Sequence, residues 1–315
     1  MKNIRLPSES KLAAAMTRSA SEQTYLTIRF LADRERAADA YRAYAYFRWV
    51  DDTLDMQTGL ESERSAFIQR QQSLLERCTL GEPPRDVSAE EEMLVELIRG
   101  DTGENSGLQV YLREMMKVMA FDAGRRGRLI SLKELNEYTR WLAVAVTEAM
   151  HYFVGHDCFS PRDETRYLAV SAAHITHMLR DTFDDTQAGY FNIPGEVLEA
   201  NRIGPGEVDS DAYRAWVRGR VELARAYFKT GRDYLTHVQN PRCRLAGFAY
   251  AARFEWLLDT FEREGYYLRS AYNERKSLRT GLRMGWSSLS SLFGLGWKGV
   301  PSMPLSGQPS SLRKL

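Results

Sequence analysis

Cysteine is scarce in this chain: Cys78, Cys158 and Cys243 are far apart and odd in number. No Cys-x-x-Cys pair occurs, so neither a disulfide framework nor a thiolate zinc site is indicated, and a reducing compartment is expected. A net field is missing as well, since 43 basic against 42 acidic residues leave a formal charge of +1. Nothing in that balance draws in nucleic acid, and a charged ligand must be held by a local cluster. No run reaches the ~18 consecutive apolar residues of a membrane span. Near the N-terminus the apolar run from Leu12 to Met16 is too short for the core of an export signal, so a cytoplasmic protein is the expectation. Alternating β-branched runs are scarce too, which argues against sheet.

What is present is helical. With 43% hydrophobic and 27% charged residues, a chain of 315 residues can bury one large core. Ser88 with Glu91 and Ser131 with Glu134 read as capping boxes, and Ser160 before Pro161 reads as an N-cap with proline in the first turn. Apolar residues recur at spacings of three and four, as in Leu94, Leu97 and Ile98, or Tyr111, Met115, Val118 and Met119. The fold class is therefore all-α, with long helices expected near 37–57, 61–78, 107–123, 131–154, 161–188, 210–238 and 242–275. Polar or Gly-rich links at 81–88, 100–107, 124–127 and 189–206 do not look like domain linkers. One helical domain over 1–283 is expected, followed by a partly ordered tail over 284–315 with scattered apolar residues such as Trp286, Phe293 and Trp297. Two readings of that tail stand open, a segment in peripheral contact with a membrane and a frayed terminus.

Two polar stripes interrupt the apolar pattern. Tyr44, Arg48, Asp51 and Asp55 follow one another at four, three and four residues, which places them on one helical face. Carboxylates one turn apart can share divalent ions and leave room for water and phosphate ligands, a geometry that suits magnesium. A plain solvated face, with Arg48 and Asp52 as an i, i+4 pair, would produce the same pattern. A second stripe, His174, His177, Asp181 and Asp185, shifts the balance, with Asp184 and Arg180 beside it. Two carboxylate stripes on apolar-flanked helices would repel each other across a bundle unless cations stood between them. Two Asp pairs with arginines nearby form a receptor for a diphosphate, and a metal-clamped diphosphate is a good leaving group from an allylic carbon. The resulting cation needs an apolar, aromatic cavity, for which Tyr25, Phe30, Trp141, Tyr152, Phe153, Phe248, Tyr250, Phe254 and Trp256 are the candidates, each of them by itself read more readily as plain core than as cavity wall.

These residues resemble the squalene and phytoene synthase family, which joins two prenyl diphosphates head to head. The segment Tyr44 to Asp55 is similar to the family's first aspartate-rich motif, and Leu179, Arg180, Asp181, Asp185, Gly189, Tyr190 and Pro194 are similar to its second, a likeness covering roughly residues 20–280. The resemblance implies a single large bundle of antiparallel helices around a central apolar cavity. It also implies magnesium on Asp51, Asp55, Asp181 and Asp185, with manganese able to take the same donors. By the same resemblance Tyr44, Arg48 and Arg180 would hold diphosphate, while His177 is expected in the metal or diphosphate shell from its own place on the second stripe. Squalene synthases then reduce with NADPH and phytoene synthases do not, a choice the sequence leaves open along with the oligomeric state.

Three departures from the family pattern matter. His174 and His177 stand where Gln and Asn are usual. The small Gly-rich helix before the second motif is replaced by Trp141 to Glu148, which predicts added bulk in the path of the substrate chains. The basic residue expected before Tyr25 is Gln23, so a diphosphate contact must come from elsewhere, with Arg269, Arg275 and Lys276 as candidates. Other readings remain: ionisation of one prenyl diphosphate followed by cyclisation or transfer, a non-catalytic scaffold, or a di-metal carboxylate bundle. The last rests on Glu148-x-x-His151 and lacks a second such motif.

Overall fold

Serine caps set five of the helix starts among the described residues, those of Ser21, Ser88, Ser106, Ser131 and Ser210. A computed structural model describes residues 8–56, 61–101, 103–155 and 158–272, with residues 8, 9 and 10 described by backbone only. The Ser88 and Ser131 hydroxyls each accept the backbone N–H three residues on, and Glu91 and Glu134 reach back to the cap N–H, completing both expected boxes. The helices are α1 (Ser8–Ala20), α2 (Glu22–Leu31), α3 (Ala37–Met56), α4 (Glu61–Thr79), α5 (Ala89–Gly100), α6 (Gly107–Arg125) and α7 (Leu132–Phe153). They continue as α8 (Leu168–Arg180), α9 (Thr182–Gln187), α10 (Gly195–Asn201), α11 (Asp211–His237) and α12 (Pro241–Arg263), with a short 3-10 turn at Glu164–Tyr167. No strand occurs among the described residues.

The helix map needs three corrections. The segment α1–α2, absent from it, forms because the Ser21 hydroxyl caps α2 by accepting the Thr24 N–H, while buried Ala13 and Ile28 join the core. The single helix expected over 161–188 is divided. Asp163 rather than Ser160 makes the cap, accepting from the Thr165 N–H at 2.9 Å, so α8 proper starts only at Leu168. Asp181, at φ −94° and ψ 6°, then separates α8 from α9. The last helix stops at Arg263 instead of near 275, because Gly265 and Tyr266 turn left-handed at φ 65° and 68°. The expected tail over 284–315 lies outside the described residues.

Two hydrophobic clusters organise the bundle. The first is built mainly by α1–α7 around Tyr46, Leu94, Leu112 and Leu135, and the second by α8, α11 and α12 around Ile175, Phe228 and Phe261. Trp216 packs against both. Each fully buried Leu or Phe contributes roughly 1.5–3 kcal/mol relative to exposure, so the clusters hold the bundle together. Helices α8 and α11 approach so closely that a Cβ on Gly231 would lie 2.5 Å from the Ala169 nitrogen. The buried Asp33 carboxylate ties the two ends of the chain, accepting from the Gly155 N–H at 2.8 Å and pairing with Arg242 on α12. No helix among the described residues is long and apolar enough to cross a membrane.

Candidate active site

The first stripe lies along an unbroken stretch of α3. Tyr44 is half-buried, Arg48 and Asp55 are exposed, and Asp51 is between. Arg48 reaches Asp51 at 3.2 Å and also pairs with Asp52, so the simple i, i+4 pair does form. One guanidinium does not neutralise the group. Burial, reinforced by the neighbouring Asp55, pushes the Asp51 carboxyl up to about 6, and burial also raises Asp55.

The second stripe crosses the break between α8 and α9 without losing its one-turn spacing. The Asp181 N–H still donates to the His177 carbonyl at 3.0 Å, and the Asp185 N–H to the Asp181 carbonyl at 2.8 Å. Here the carboxylates are already engaged. His177 Nε2 lies 2.8 Å from Asp181 Oδ2, and Arg180 grips both Asp181 oxygens at 2.5 and 2.6 Å. Burial alone would raise Asp181, but these two partners reverse the effect and hold it far below the usual carboxylate range. Asp185 moves the other way, pushed up to about 6 by burial and by Asp181, although Asn192 Nδ2 donates to it at 2.6 Å.

A polar chain from α6 and α7, which the sequence reading did not single out, connects the two stripes. Arg125 donates to Asp122 at 2.7 Å and to Asn192 Oδ1 at 2.9 Å, and Asn192 in turn holds Asp185. The Tyr138 hydroxyl donates to Asp122 at 3.0 Å, and the Arg125 guanidinium lies 4.8 Å from the Tyr138 ring and 5.0 Å from the Tyr190 ring. Asp122 feels Asp55 on one side while Tyr138 feels Asp185 on the other, so both stripes face one electrostatic cluster. The available signal was an Asp and an Arg three apart on the otherwise apolar α6 face that buries Val118, Met119 and Ala123. Loop approach helps: Gly127 donates to the Gly189 carbonyl at 2.7 Å, where Gly189 sits at φ +86°.

Beside this polar end lies an apolar cavity of about 370 Å³, lined by α2, α3, α6, α7 and α12 and including Tyr44. That volume is at the small end for ligand pockets. Of the aromatic candidates, Phe153 and Tyr250 line it, joined by Tyr44 and Tyr111. Phe30 points to solvent, Phe248, Phe254 and Trp256 are core, and Tyr152 faces a different cleft. Trp141 packs edge-on against Phe121, so the bulk expected from that segment reaches the cavity only as Val146, ahead of Ala149 and Met150 on the same helix.

Other residues singled out from the sequence fall apart from the cluster. His174 is buried with neither ring nitrogen hydrogen-bonded, its ring 5.0 Å from that of Tyr138, and burial holds it neutral. Asp184 is exposed. Glu148 accepts from Tyr167 at 2.9 Å and pairs with Arg166, while His151 meets the Tyr234 hydroxyl at 3.0 Å, so these two do not form a metal pair. Arg269 pairs with Glu264, and Arg275 and Lys276 lie outside the described residues.

The family model for squalene/phytoene synthase matches residues 17–281, most of the chain and both stripes. The chain belongs to this family. Over 174 residues it is 28% identical to "Phytoene synthase 3, chloroplastic" of Zea mays, covering 51% of this chain and 40% of that relative. The chain therefore spans well under half the length of the curated relative it matches. Its fold is similar to that of squalene synthase HpnC from Alicyclobacillus acidocaldarius, with a TM-score of 0.65 at 20% identity, covering 83% of this chain and 95% of the other. A dehydrosqualene synthase crystallised with ligand superposes with a TM-score of 0.64 at 15% identity, covering 91% and 96%. The bundle is thus an isoprenoid-synthase fold.

Magnesium, which the squalene/phytoene synthase family implies, can be tested against the donors present. Among the described residues no three His, Cys, Asp or Glu side chains form a metal cage by themselves. Magnesium does not require one, because it takes one or two carboxylates and completes its shell with water and phosphate oxygen. The donors here are all hard oxygens, and Asp51 and Asp185 carry charge that their surroundings leave undercompensated. The residues fit the ion.

Proposed function

We propose that this protein condenses two prenyl diphosphates head to head in a magnesium-dependent reaction, with both stripes serving the diphosphates and the apolar cavity taking a prenyl chain. The observation that carries this reading is a shared electrostatic cluster: Asp122, which couples with Asp51 and Asp55, bonds to Arg125, and Arg125 is tied through Asn192 to Asp185, beside the cavity that Tyr44 lines. In this reading Asp51, Asp55, Asp181 and Asp185 hold magnesium, which supplies positive charge to the leaving diphosphate. Tyr44, Arg48 and Arg180 donate hydrogen bonds to its oxygens as the allylic C–O bond breaks and the electron pair departs with the diphosphate. His177 keeps Asp181 charged and oriented. Tyr44, Tyr111, Phe153 and Tyr250 line the cavity in which the alkene of the second substrate would attack the allylic cation, the new cation then losing a proton as a ring closes. Apolar walls exclude the water that would otherwise quench it.

A second reading, cyclisation or transfer from one prenyl diphosphate, is favoured by the small cavity of about 370 Å³. One assay separates them. Purified protein is incubated with farnesyl or geranylgeranyl diphosphate and magnesium, with and without NADPH, and the extracted hydrocarbons are weighed by mass spectrometry. A product with twice the carbon count is expected, and its NADPH dependence assigns squalene-type or phytoene-type chemistry. A product of unchanged carbon count would overturn condensation in favour of the second reading.

A further inference from the structure

A cation stands without a counterion in the cavity wall. Arg253, on α12, lines the apolar cavity together with Gln23, Tyr44 and Tyr250. Its Nε is buried and has no hydrogen-bond partner. No ion pair or hydrogen bond to its guanidinium occurs among the described residues, and its nearest ring, Phe254, lies 5.5 Å away. Arg180 is the charged group near it, with the neutral hydroxyls of Tyr250 and Tyr44 alongside and no carboxylate among its electrostatic neighbours. Arg180 is satisfied by Asp181, whereas Arg253 is not. Another buried guanidinium with an unpaired Nε, that of Arg166, has Glu148 beside it.

Holding a guanidinium partly out of water without an anion is unfavourable, and a ring contact offsets only a small part of that cost. A bound anion would remove that cost. The neighbours name the chemistry of the anion: Tyr44 and Arg180 belong to the polar stripes, and the other walls, with Ile28, Leu31, Met115 and Val146, accept only a hydrocarbon. An amphiphile with a short, highly charged head and an apolar chain fits both.

We propose that Arg253 binds the diphosphate of a prenyl substrate whose chain occupies this cavity, supplying the cationic contact that Gln23, in the same wall, does not. The assignment rests on the prenyl-diphosphate reading of the site but not on the condensation step. It adds a third arginine to Arg48 and Arg180, on a helix that carries neither stripe.

The test is calorimetric titration of the full-length protein, with magnesium, using farnesyl S-thiolodiphosphate, whose C–S bond does not ionise, and farnesol as the headless control. Arg253→Met keeps the length of the stem and removes the charge, and Arg253→Lys keeps the charge. Loss of one charge-assisted contact predicts about ten- to a hundredfold weaker analogue binding by Arg253→Met, with most of it recovered in Arg253→Lys and farnesol binding unchanged. Analogue binding by Arg253→Met at wild-type strength would overturn the assignment. So would an equal loss of analogue and farnesol, which would mark a purely packing role. Failure of the condensation reading is separable: wild-type protein would then bind the analogue in an Arg253-dependent way and still make no product of doubled carbon count.

Discussion

The two stripes carry similar residues and are built in opposite ways. On α3 the carboxylates sit on a continuous helix, Asp55 exposed and Asp51 partly buried, with one arginine shared between Asp51 and Asp52, and partial burial and like charge push the Asp51 carboxyl up to about 6. Across the α8–α9 break Asp181 is gripped by Arg180 and His177 and stays charged, while Asp185 is fastened through Asn192 to Arg125. The first wall is poised to gain a cation, and the second is prearranged by protein cations and donors.

The largest test of this contrast is loss of a single carboxylate from each wall. Asp51→Asn and Asp181→Asn should each lower kcat by about a hundred- to a thousandfold if both walls stabilise the same leaving group, with circular dichroism unchanged. Near-normal turnover in either purified variant would remove that wall from the reaction.

Stability against pH separates the walls by sign. Asp51 and Asp185 rise to about 6 in the fold, above the ordinary carboxylate value of about 4, so the folded state holds protons that the unfolded chain has released. Their contribution is fully present below the unfolded value and is lost as pH climbs through about 6. Asp181 is lowered, and its contribution is present above the unfolded value and lost as pH falls toward its folded value. In chelator, Asp51→Asn should therefore raise the thermal midpoint at pH 8 and Asp181→Asn should lower it. The Asp51 side chain is 41% exposed, so its effect after screening is about 1 kcal/mol or less. Saturating magnesium should flatten the wild-type decline between pH 4 and pH 7, and an identical decline with and without the ion would argue that neither wall binds it.

The smallest expected effect belongs to His177. Replacing it with Leu removes the 2.8 Å contact from its Nε2 to Asp181, so turnover should fall by about three- to tenfold and the low Asp181 value should rise, read by carboxyl NMR titration. An unchanged Asp181 titration would show that Arg180 alone sets it.

The legible and illegible parts of the site divide along the same line. Stripe one could be read directly, because spacings of four, three and four on one uninterrupted helix determine a face. Stripe two could be read too, since the break at Asp181 preserves the one-turn bonds on either side. What joins the stripes could not, because the Arg125–Asn192 bond spans 67 positions of chain and no local period encodes it. His174 and His177 were placed on the same stripe, yet packing buries one against Tyr138 and leaves the other at the Asp181 carboxylate. Among the aromatics the sequence did not separate core from cavity or from surface: Phe248, Phe254 and Trp256 are core, Phe153 and Tyr250 line the cavity, and Phe30 faces solvent.

By itself the sequence determined the helical class, the two complete capping boxes and both carboxylate faces, since each of these is settled by contacts three or four residues apart. Tertiary structure alone decided that the walls share one cluster through Asp122, Arg125 and Asn192, that Trp141 stands clear of the cavity, and that Arg253 enters it without a counterion. Those outcomes depend on how helices cross and how closely they approach, and that is set by the shapes of side chains distant in sequence packing against one another.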